Sequence, residues 1–177
     1  MAAIFAFKCR SCGEVHEGSP SFAFKAPDPY VNLSAEDKAS RATLDSDVCT
    51  IAYEGQTDRF IRAVLEVPIH GQEDPFLWGI WVSVSEKSLQ RYLDTLDDPV
   101  PGDGFFGWLS NQIGIYPSAD MRPANVFIQQ EGDRPKVVIH TNGRENDPLV
   151  IDQQNGISVE RAQELAELAM HGQGGED

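Results

Sequence analysis

Two cysteines near the N-terminus are spaced for metal binding. Cys9 and Cys12 are separated by two residues, and Gly13 follows directly. Thiolates at this spacing can both reach one tetrahedral Zn²⁺ from a tight turn, and glycine allows the positive φ that such a turn needs. The sequence has no second Cys-x-x-Cys pair and therefore holds half of a zinc-ribbon site. The pair predicts a turn that supplies two of four ligands.

The other two ligands must come from more distant residues. The soft ligands that remain are Cys49, His16, His70, His140 and His171. His16 follows closely after the pair, and Cys49 lies near the start of a predicted strand that could run beside the turn. We therefore predict a structural zinc site formed by Cys9, Cys12, His16 and Cys49. The competing interpretation is a small thiol pair packed at a turn, with Cys49 in the core.

Aromatic residues form the second group of interest. All three tryptophans lie in the segments 76–81 and 105–108, each of which also contains a glycine. Alternation along the first segment predicts Trp78 and Ile80 on one face of a strand and Trp81 on the other. Such clusters are typical of a hydrophobic core, and the alternative is an aromatic-lined pocket for a small molecule.

The loop at residues 97–104 precedes the second aromatic segment. It is rich in Asp, Pro and Gly, which indicates a mobile surface connection. Because Phe105 and Trp108 are too apolar to stay fully exposed, the chain must enter the core within a few residues. We predict a ligand site with Asp103 at an acidic rim and Phe105 and Trp108 at its base. A cationic small molecule or a basic protein would suit that rim, and the competing interpretation is an ordinary loop anchored by a hydrophobic plug.

Charge and composition exclude several functions. The net charge is −14, from 28 acidic and 14 basic residues, so the surface should repel nucleic acid and anionic lipid. No apolar run approaches the roughly 20 residues that span a bilayer, and the first residues do not resemble a signal peptide. Three cysteines, two of them close together, fit a reducing compartment. These features predict a cytoplasmic protein.

Catalytic signatures are scarce. The sequence contains no nucleophile elbow, phosphate-binding loop, dinucleotide-binding glycine motif or His-Glu-x-x-His motif, so no catalytic residue is assigned. The arginines Arg59, Arg122 and Arg134 are expected on solvated faces. Arg62, between apolar neighbours in a predicted strand, is expected to be partly buried and paired with an acid.

The elements that position these residues follow from periodicity and capping signals. Helices are predicted at residues 34–43, 85–96 and 158–171, each beginning at a capping serine. Strands are predicted at residues 4–7, 21–25, 48–53, 60–69, 76–84, 126–130 and 136–141. The order of elements favours one α+β domain over residues 1–171, with a mainly antiparallel sheet, three helices and an N-terminal Cys-x-x-Cys turn. Residues 172–177 are predicted to be a flexible tail.

Several segments, taken in order, resemble one bacterial family. They lie at residues 7–16, 47–49, 60–62, 76–83, 106–110, 134–135, 147–149 and 156–157. Together they resemble the family called Domain of Unknown Function 2199 over about residues 5–171, and the segment 76–83 is the most specific. The resemblance implies that the Cys pair, Cys49 and the tryptophan segments belong to one architecture, and it implies no activity. It also leads us to expect a histidine where this chain has Asp147, so no role of that histidine is transferred.

Three classes of function are compatible with the sequence. The leading hypothesis is a non-enzymatic cytosolic module that binds a protein or a small ligand and carries a structural zinc knuckle. The first alternative is an enzyme with a small-molecule pocket near the tryptophan segments. The second is an acidic inhibitor or immunity-type protein. A concave pocket with convergent polar groups and shifted pKa values would favour the enzyme, whereas a flat acidic patch with aromatic residues would favour a protein partner.

Overall fold

The structure is a computed structural model that describes residues 6–10, 12–17, 21–130 and 132–171, without the side chains of residues 7, 16 and 17. The predicted tail at residues 172–177 lies outside this part. The described strands are β1 (Ala6–Lys8), β2 (Val15–Glu17), β3 (Ser21–Ala23), β4 (Ala42–Leu44), β5 (Val48–Tyr53), β6 (Gln56–Val67), β7 (Phe76–Val84), β8 (Gly104–Leu109), β9 (Pro123–Phe127) and β10 (Lys136–Ile139). The described helices are α1 (Asp28–Val31), α2 (Ala35–Arg41), α3 (Glu86–Asp94), α4 (Pro148–Asn155) and α5 (Val159–His171). None of these helices has the length and apolar character needed to cross a bilayer.

Five strands close into a barrel. The main sheet has the order β3-β7-β8-β9-β10-β6-β5-β4, and an additional pairing between β6 and β7 closes the ring β6-β7-β8-β9-β10. The long strand β6 makes closure possible, because its first half pairs with β5 and Val64 further along pairs with β10. The pairings of β10 with β6 and of β3 with β7 are parallel, and the others in this sheet are antiparallel.

The predicted α+β class is confirmed, and the details differ. The described residues hold five helices where three were predicted, and the sheet closes on itself. The helices α1 and α4 were not predicted, although α4 begins with Asp147 as its N-cap and Pro148 at its first turn, a start signal that is readable in the sequence. The predicted caps of the other helices are confirmed, since the hydroxyls of Ser34, Ser85 and Ser158 accept from backbone N–H groups three residues on.

Two hydrophobic cores lie on opposite faces of β6 and β7. The inner face supplies the barrel interior, which includes Ile61, Trp78 and Ile80. The outer face supplies a smaller cluster of Cys49, Ile51, Phe60 and Trp81, covered by residues of the α1–α2 region. The prediction that Trp78 and Ile80 face away from Trp81 is therefore confirmed. Alternation of side chains along a regular strand is sufficient to produce this division.

Glycine allows β3 to approach β7. Ala23 pairs with Gly79, and a Cβ built on Gly79 would lie 2.7 Å from the Cβ of Ala23. The glycine beside the tryptophans thus leaves space for a neighbouring strand. Because β3 leads directly to Phe24, whose carbonyl accepts from the indole N–H of Trp81 at 3.0 Å, this contact also helps to position the outer core.

Replacement of Gly79 by alanine is expected to lower the free energy of unfolding by about 1–3 kcal/mol, because two methyl groups cannot share this space. Urea denaturation would measure the change. The double variant Gly79→Ala, Ala23→Gly should regain most of the lost stability, since it moves the one methyl group to the other strand. A double variant no more stable than Gly79→Ala alone would contradict the proposed contact.

Candidate functional site

The Cys pair lies in the turn of an N-terminal hairpin. Strands β1 and β2 pair antiparallel, and Lys8 is opposite Val15. Within the turn, the backbone N–H of Cys9 donates to the carbonyl of Glu14 at 2.8 Å, and that of Gly13 donates to the carbonyl of Cys9 at 2.9 Å. Gly13 has a φ of 76°, a conformation that glycine adopts without strain. The tight turn expected from the spacing is present.

A histidine from the C-terminal helix completes a cluster of three metal-ligand side chains. The Cys9 Sγ lies 3.2 Å from the His171 Nε2, and the ligand atoms of Cys9, Cys12 and His171 all lie within 4.8 Å of one another. Zn–S and Zn–N bonds of about 2.0–2.3 Å place tetrahedral ligands about 3.5 Å apart, so the cluster could hold a metal ion. The backbone N–H of Arg10 donates to the Glu167 carboxylate at 3.0 Å, which fastens the turn to α5.

Of the other two predicted ligands, Cys49 lies elsewhere, and the side chain of His16 is outside the described part. Cys49 is fully buried in the outer core, whereas Cys9 packs with the barrel core, so the structure does not bring Cys49 into the described cluster. Burial, together with the charge of Asp45, raises the pKa of the Cys49 thiol to about 12. A neutral thiol is a poor metal ligand. The backbone of His16 lies in β2 opposite Phe7, and its side chain is outside the described part.

The predicted aromatic site is divided between the two faces of β8. Phe105 is buried in the barrel interior, whereas Trp108 is 40% exposed on the outer face. Residues three apart in a strand point in opposite directions, so the two rings do not form one base. Asp103 binds the guanidinium of Arg91 and accepts from the backbone N–H of Gly104. On the outer face, the Phe106 ring lies 5.1 Å from that of Trp108 and 5.5 Å from that of His140, forming an exposed aromatic patch.

A pocket with mixed polar and apolar walls, which we call the Asn111 pocket, opens beside the end of β8. Its volume is about 300 Å³. Its lining residues are Asp28, Pro29, Asn32, Leu109, Ser110, Asn111, Gln112, Asp120, Met121 and Arg122. Among the described residues, Ser110, Asn111 and Arg122 are the polar or charged residues that are buried, and all three line this pocket. The pocket was not predicted from the sequence. Its residues come from separate segments that meet only in the fold, and none of these segments carries a recognised motif.

The side chain of Asn111 organises one wall of this pocket. Its Oδ1 accepts from the backbone N–H of Trp81 at 2.8 Å, and its Nδ2 donates to the carbonyl of Ala26 at 2.9 Å and to Oδ1 of Asp28 at 3.1 Å. The other oxygen of Asp28 accepts from the backbone N–H of Gln112 at 2.7 Å. These bonds hold the Asp28 carboxylate in one orientation and connect the pocket to the outer core.

Arg122 forms the other charged group of the pocket. Its Nε donates to Asp147 Oδ2 at 2.7 Å, and its Nη2 donates to Asp147 Oδ1 at 3.1 Å and to the carbonyl of Tyr116 at 2.8 Å. Burial alone would raise the pKa of Asp147. The hydrogen bonds and charge of Arg122, with the Leu149 N–H and Arg144, outweigh it and hold that pKa below its ordinary value.

The predictions for two arginines need correction. The expected solvated position of Arg122 is wrong, since its side chain is 3% exposed. Strand alternation could not show this, because Arg122 precedes β9 and its burial depends on Asp147 in a distant segment. Arg62 is half-buried as expected, but among the described residues it donates to the Ser46 carbonyl at 3.4 Å and forms no ion pair. The nearby Asp47 pairs with Arg134 instead, at 3.0 Å.

The fold and the site together define an α+β domain built on a closed five-stranded barrel, with a candidate Cys₂His metal site and the Asn111 pocket. The chain belongs to the family described as an uncharacterised protein conserved in bacteria, Domain of Unknown Function 2199, whose model matches residues 8–157. The family resemblance is thus confirmed. The match covers the Cys pair and the pocket, and it ends before α5. No curated protein and no solved structure matches the chain significantly.

Proposed function

We propose that this protein is a non-enzymatic binding module of the bacterial cytoplasm, with the Asn111 pocket as its ligand site and a structural zinc ion at the N-terminal hairpin. One observation supports the binding function. The buried polar residues of the described chain all line one concave pocket, and they are Ser110, Asn111 and Arg122. Burying polar groups is costly, so a wall of hydrogen-bonded polar side chains beside open space is typical of ligand recognition.

The pKa shifts near the pocket support binding in preference to catalysis. The hydrogen bond from Arg144 is the main cause that holds the pKa of Asp120 below its ordinary value, and the pKa of Asp147 is lowered as well. A carboxyl group that acts as a general acid near neutral pH needs a raised pKa. These two carboxylates, each paired with an arginine, stay ionised near neutral pH and do not suit that role.

The zinc proposal rests on the chemistry of the donor set. Two thiolates and one imidazole are ligands that Zn²⁺ prefers, and they come from segments 162 residues apart, Cys9 and His171. Zinc would tie the N-terminal hairpin to α5 and therefore stabilise the fold. A structural site takes four ligands, and His16, in the hairpin strand next to the turn, is the residue we propose for the fourth position. Cys49 is replaced by His171 in this proposal.

Metal analysis of the purified full-length protein tests the zinc site. We expect about one zinc per chain in the wild type and in Cys49→Ser, and little zinc in Cys12→Ser and His171→Ala. Cobalt substitution should produce a thiolate-to-metal charge-transfer band that Cys12→Ser weakens. Chelation should lower the Tm by roughly 5–10 °C if zinc contributes about 2–3 kcal/mol. Absence of metal and of a cobalt band in the wild type, or loss of metal in Cys49→Ser alone, would exclude this set of ligands.

A nuclear magnetic resonance fragment screen on the full-length protein tests the pocket. We expect a binding fragment to shift the backbone amide signals of Asn111 and Gln112. Met121→Trp, which places a bulky ring at the exposed edge of the pocket, should lower the affinity for that fragment by about tenfold or more. Trp108→Ala is the matched control and should leave the affinity unchanged. If Trp108→Ala abolishes binding and Met121→Trp does not, the ligand site is the aromatic region, and the pocket assignment is wrong.

Protein binding by the exposed aromatic patch is a second candidate function. Phe106 and Trp108 are 44% and 40% exposed, and aromatic side chains are enriched at interfaces. The net charge of −14 would match a basic partner, as expected of an acidic inhibitor or immunity-type protein. Asp103 at the start of β8 and the Trp108 ring remain the residues proposed for this role, whereas Phe105 could support it only from the core.

A further inference from the structure

We propose that the Asn111 pocket binds a compact organic ammonium ion that also carries a neutral hydrogen-bond acceptor. The ammonium group binds the Asp28 carboxylate, and the acceptor binds the guanidinium of Arg122. This inference rests on the proposed function of the pocket and names the chemical class of its ligand.

The Asp28 carboxylate provides a fixed negative charge without a cationic partner. Its two oxygens accept from the side-chain amide of Asn111 and the backbone amide of Gln112, both of which are neutral donors. No ion pair of Asp28 within 4.0 Å is found among the residues that the structure describes. Two neutral bonds orient the carboxylate and leave acceptor capacity for a ligand. A charge-assisted hydrogen bond from an ammonium group is the strongest interaction available to it.

Arg122 provides donors for the second part of the ligand. Its Nε and Nη2 are bound to Asp147 and to the Tyr116 carbonyl, and no described residue accepts from its Nη1. The side chain is 3% exposed and lines the pocket. Nη1 is not among the fully buried atoms without a partner, so it can donate to solvent or to a ligand acceptor at that position.

The surrounding charges require that acceptor to be neutral. Asp147 already forms a bidentate pair with Arg122, and Asp28 and Asp120 line the same pocket. A ligand carboxylate would be a fourth negative charge beside Asp28, Asp120 and Asp147, which face only the two guanidinium groups of Arg122 and Arg144, whereas an amide carbonyl adds no charge. The pocket therefore discriminates between an amine with a neutral carbonyl and a zwitterion.

The size and walls of the pocket limit the ligand further. A volume of about 300 Å³ is at the lower end for ligand pockets, which span roughly 300–1,000 Å³. Pro29, Leu109 and Met121 supply apolar surface for a short hydrocarbon side chain. An α-amino amide such as leucinamide combines the ammonium group, the neutral carbonyl and a compact apolar side chain.

Calorimetric titration of the full-length protein with leucinamide tests this ligand class. The controls are the α-hydroxy analogue of leucinamide and N-acetyl-leucinamide, which lack the positive charge, and leucine, in which a carboxylate replaces the neutral amide. We expect each control to bind at least about tenfold more weakly than leucinamide. Asp28→Asn should weaken leucinamide binding by about tenfold, whereas Asp98→Asn, at an exposed carboxylate that does not line the pocket, should change it by less than about twofold.

The outcomes separate the ligand class from the proposed function. Equal binding of leucinamide and its hydroxy analogue would overturn the role of Asp28, and tighter binding of leucine would overturn the neutral acceptor. If leucinamide does not bind while a fragment still shifts the amides of Asn111 and Gln112, the ligand class is wrong and the pocket remains a binding site. If Asp28→Asn does not fold, as judged by its thermal unfolding, the comparison of ligands on the wild type still decides the proposal.

Discussion

Replacement of Arg122 by alanine is expected to lower the free energy of unfolding by about 3–5 kcal/mol. The change removes the guanidinium that donates to Asp147 through Nε and Nη2, and Asp147 is then left as a largely buried carboxylate without its main partner. It also removes the donor to the Tyr116 carbonyl. Loss of one partner from a buried pair costs more than the net contribution of the pair, because the remaining charge has lost its hydration.

Urea denaturation of a double-variant cycle would measure the coupling. Arg122→Met keeps most of the side-chain volume, and Asp147→Asn keeps an acceptor for the first turn of α4. We expect the double variant to be more stable than the sum of the single changes predicts, by at least about 1.5 kcal/mol. Arg134→Ala, which breaks a pair with both side chains 42% exposed, is the control and should cost no more than about 1 kcal/mol. Additive effects of the two variants would contradict the coupling.

The same pair predicts a pH dependence of stability. The pKa of Asp147 is lowered in the folded protein, so the group contributes stability above the unfolded value of about 3.9. That contribution is lost as the pH falls from about 4 through the lower folded pKa. The difference in free energy of unfolding between the wild type and Asp147→Asn should therefore be constant from about pH 5 to about pH 7. It should shrink below about pH 4.

Replacement of Asn111 by aspartate is expected to lower the free energy of unfolding by about 3–5 kcal/mol at neutral pH. The new side chain keeps the shape of asparagine but loses both Nδ2 donors, which bind the Ala26 carbonyl and Asp28. It also places a second carboxylate against Asp28 in a buried position. Burial and like charge both raise the pKa of such a group, so the variant should be least stable where that carboxyl is ionised.

Thermal or urea unfolding at several pH values would check this sign. Relative to the wild type, Asn111→Asp should be least destabilised below the unfolded pKa of about 3.9 and increasingly destabilised as the pH rises towards the folded value. Asn142→Asp, at an exposed turn position, is the matched control and should change stability by less than about 0.5 kcal/mol. If Asn111→Asp lowers the free energy of unfolding equally at pH 4 and pH 7, the predicted burial of an ionised carboxylate is contradicted.

Local signals in the sequence determined much of the framework around the site. The Cys-x-x-Cys-Gly spacing was sufficient to predict the tight turn, because the glycine after the pair allows the positive φ that closes it. Alternation along β7 separated Trp78 from Trp81, and serine caps located the starts of three helices. All of these depend on neighbours within a few residues, where backbone geometry leaves few choices.

Only the tertiary structure decided which distant residues meet at the sites. His171 approaches Cys9 because α5 packs against the hairpin turn, whereas Cys49 is drawn into the outer core by its place in β5. Arg122 is buried because Asp147, in the cap of α4, is brought to it. Such contacts depend on the summed packing of the whole chain, and the period of a single strand or helix holds no information about its partner.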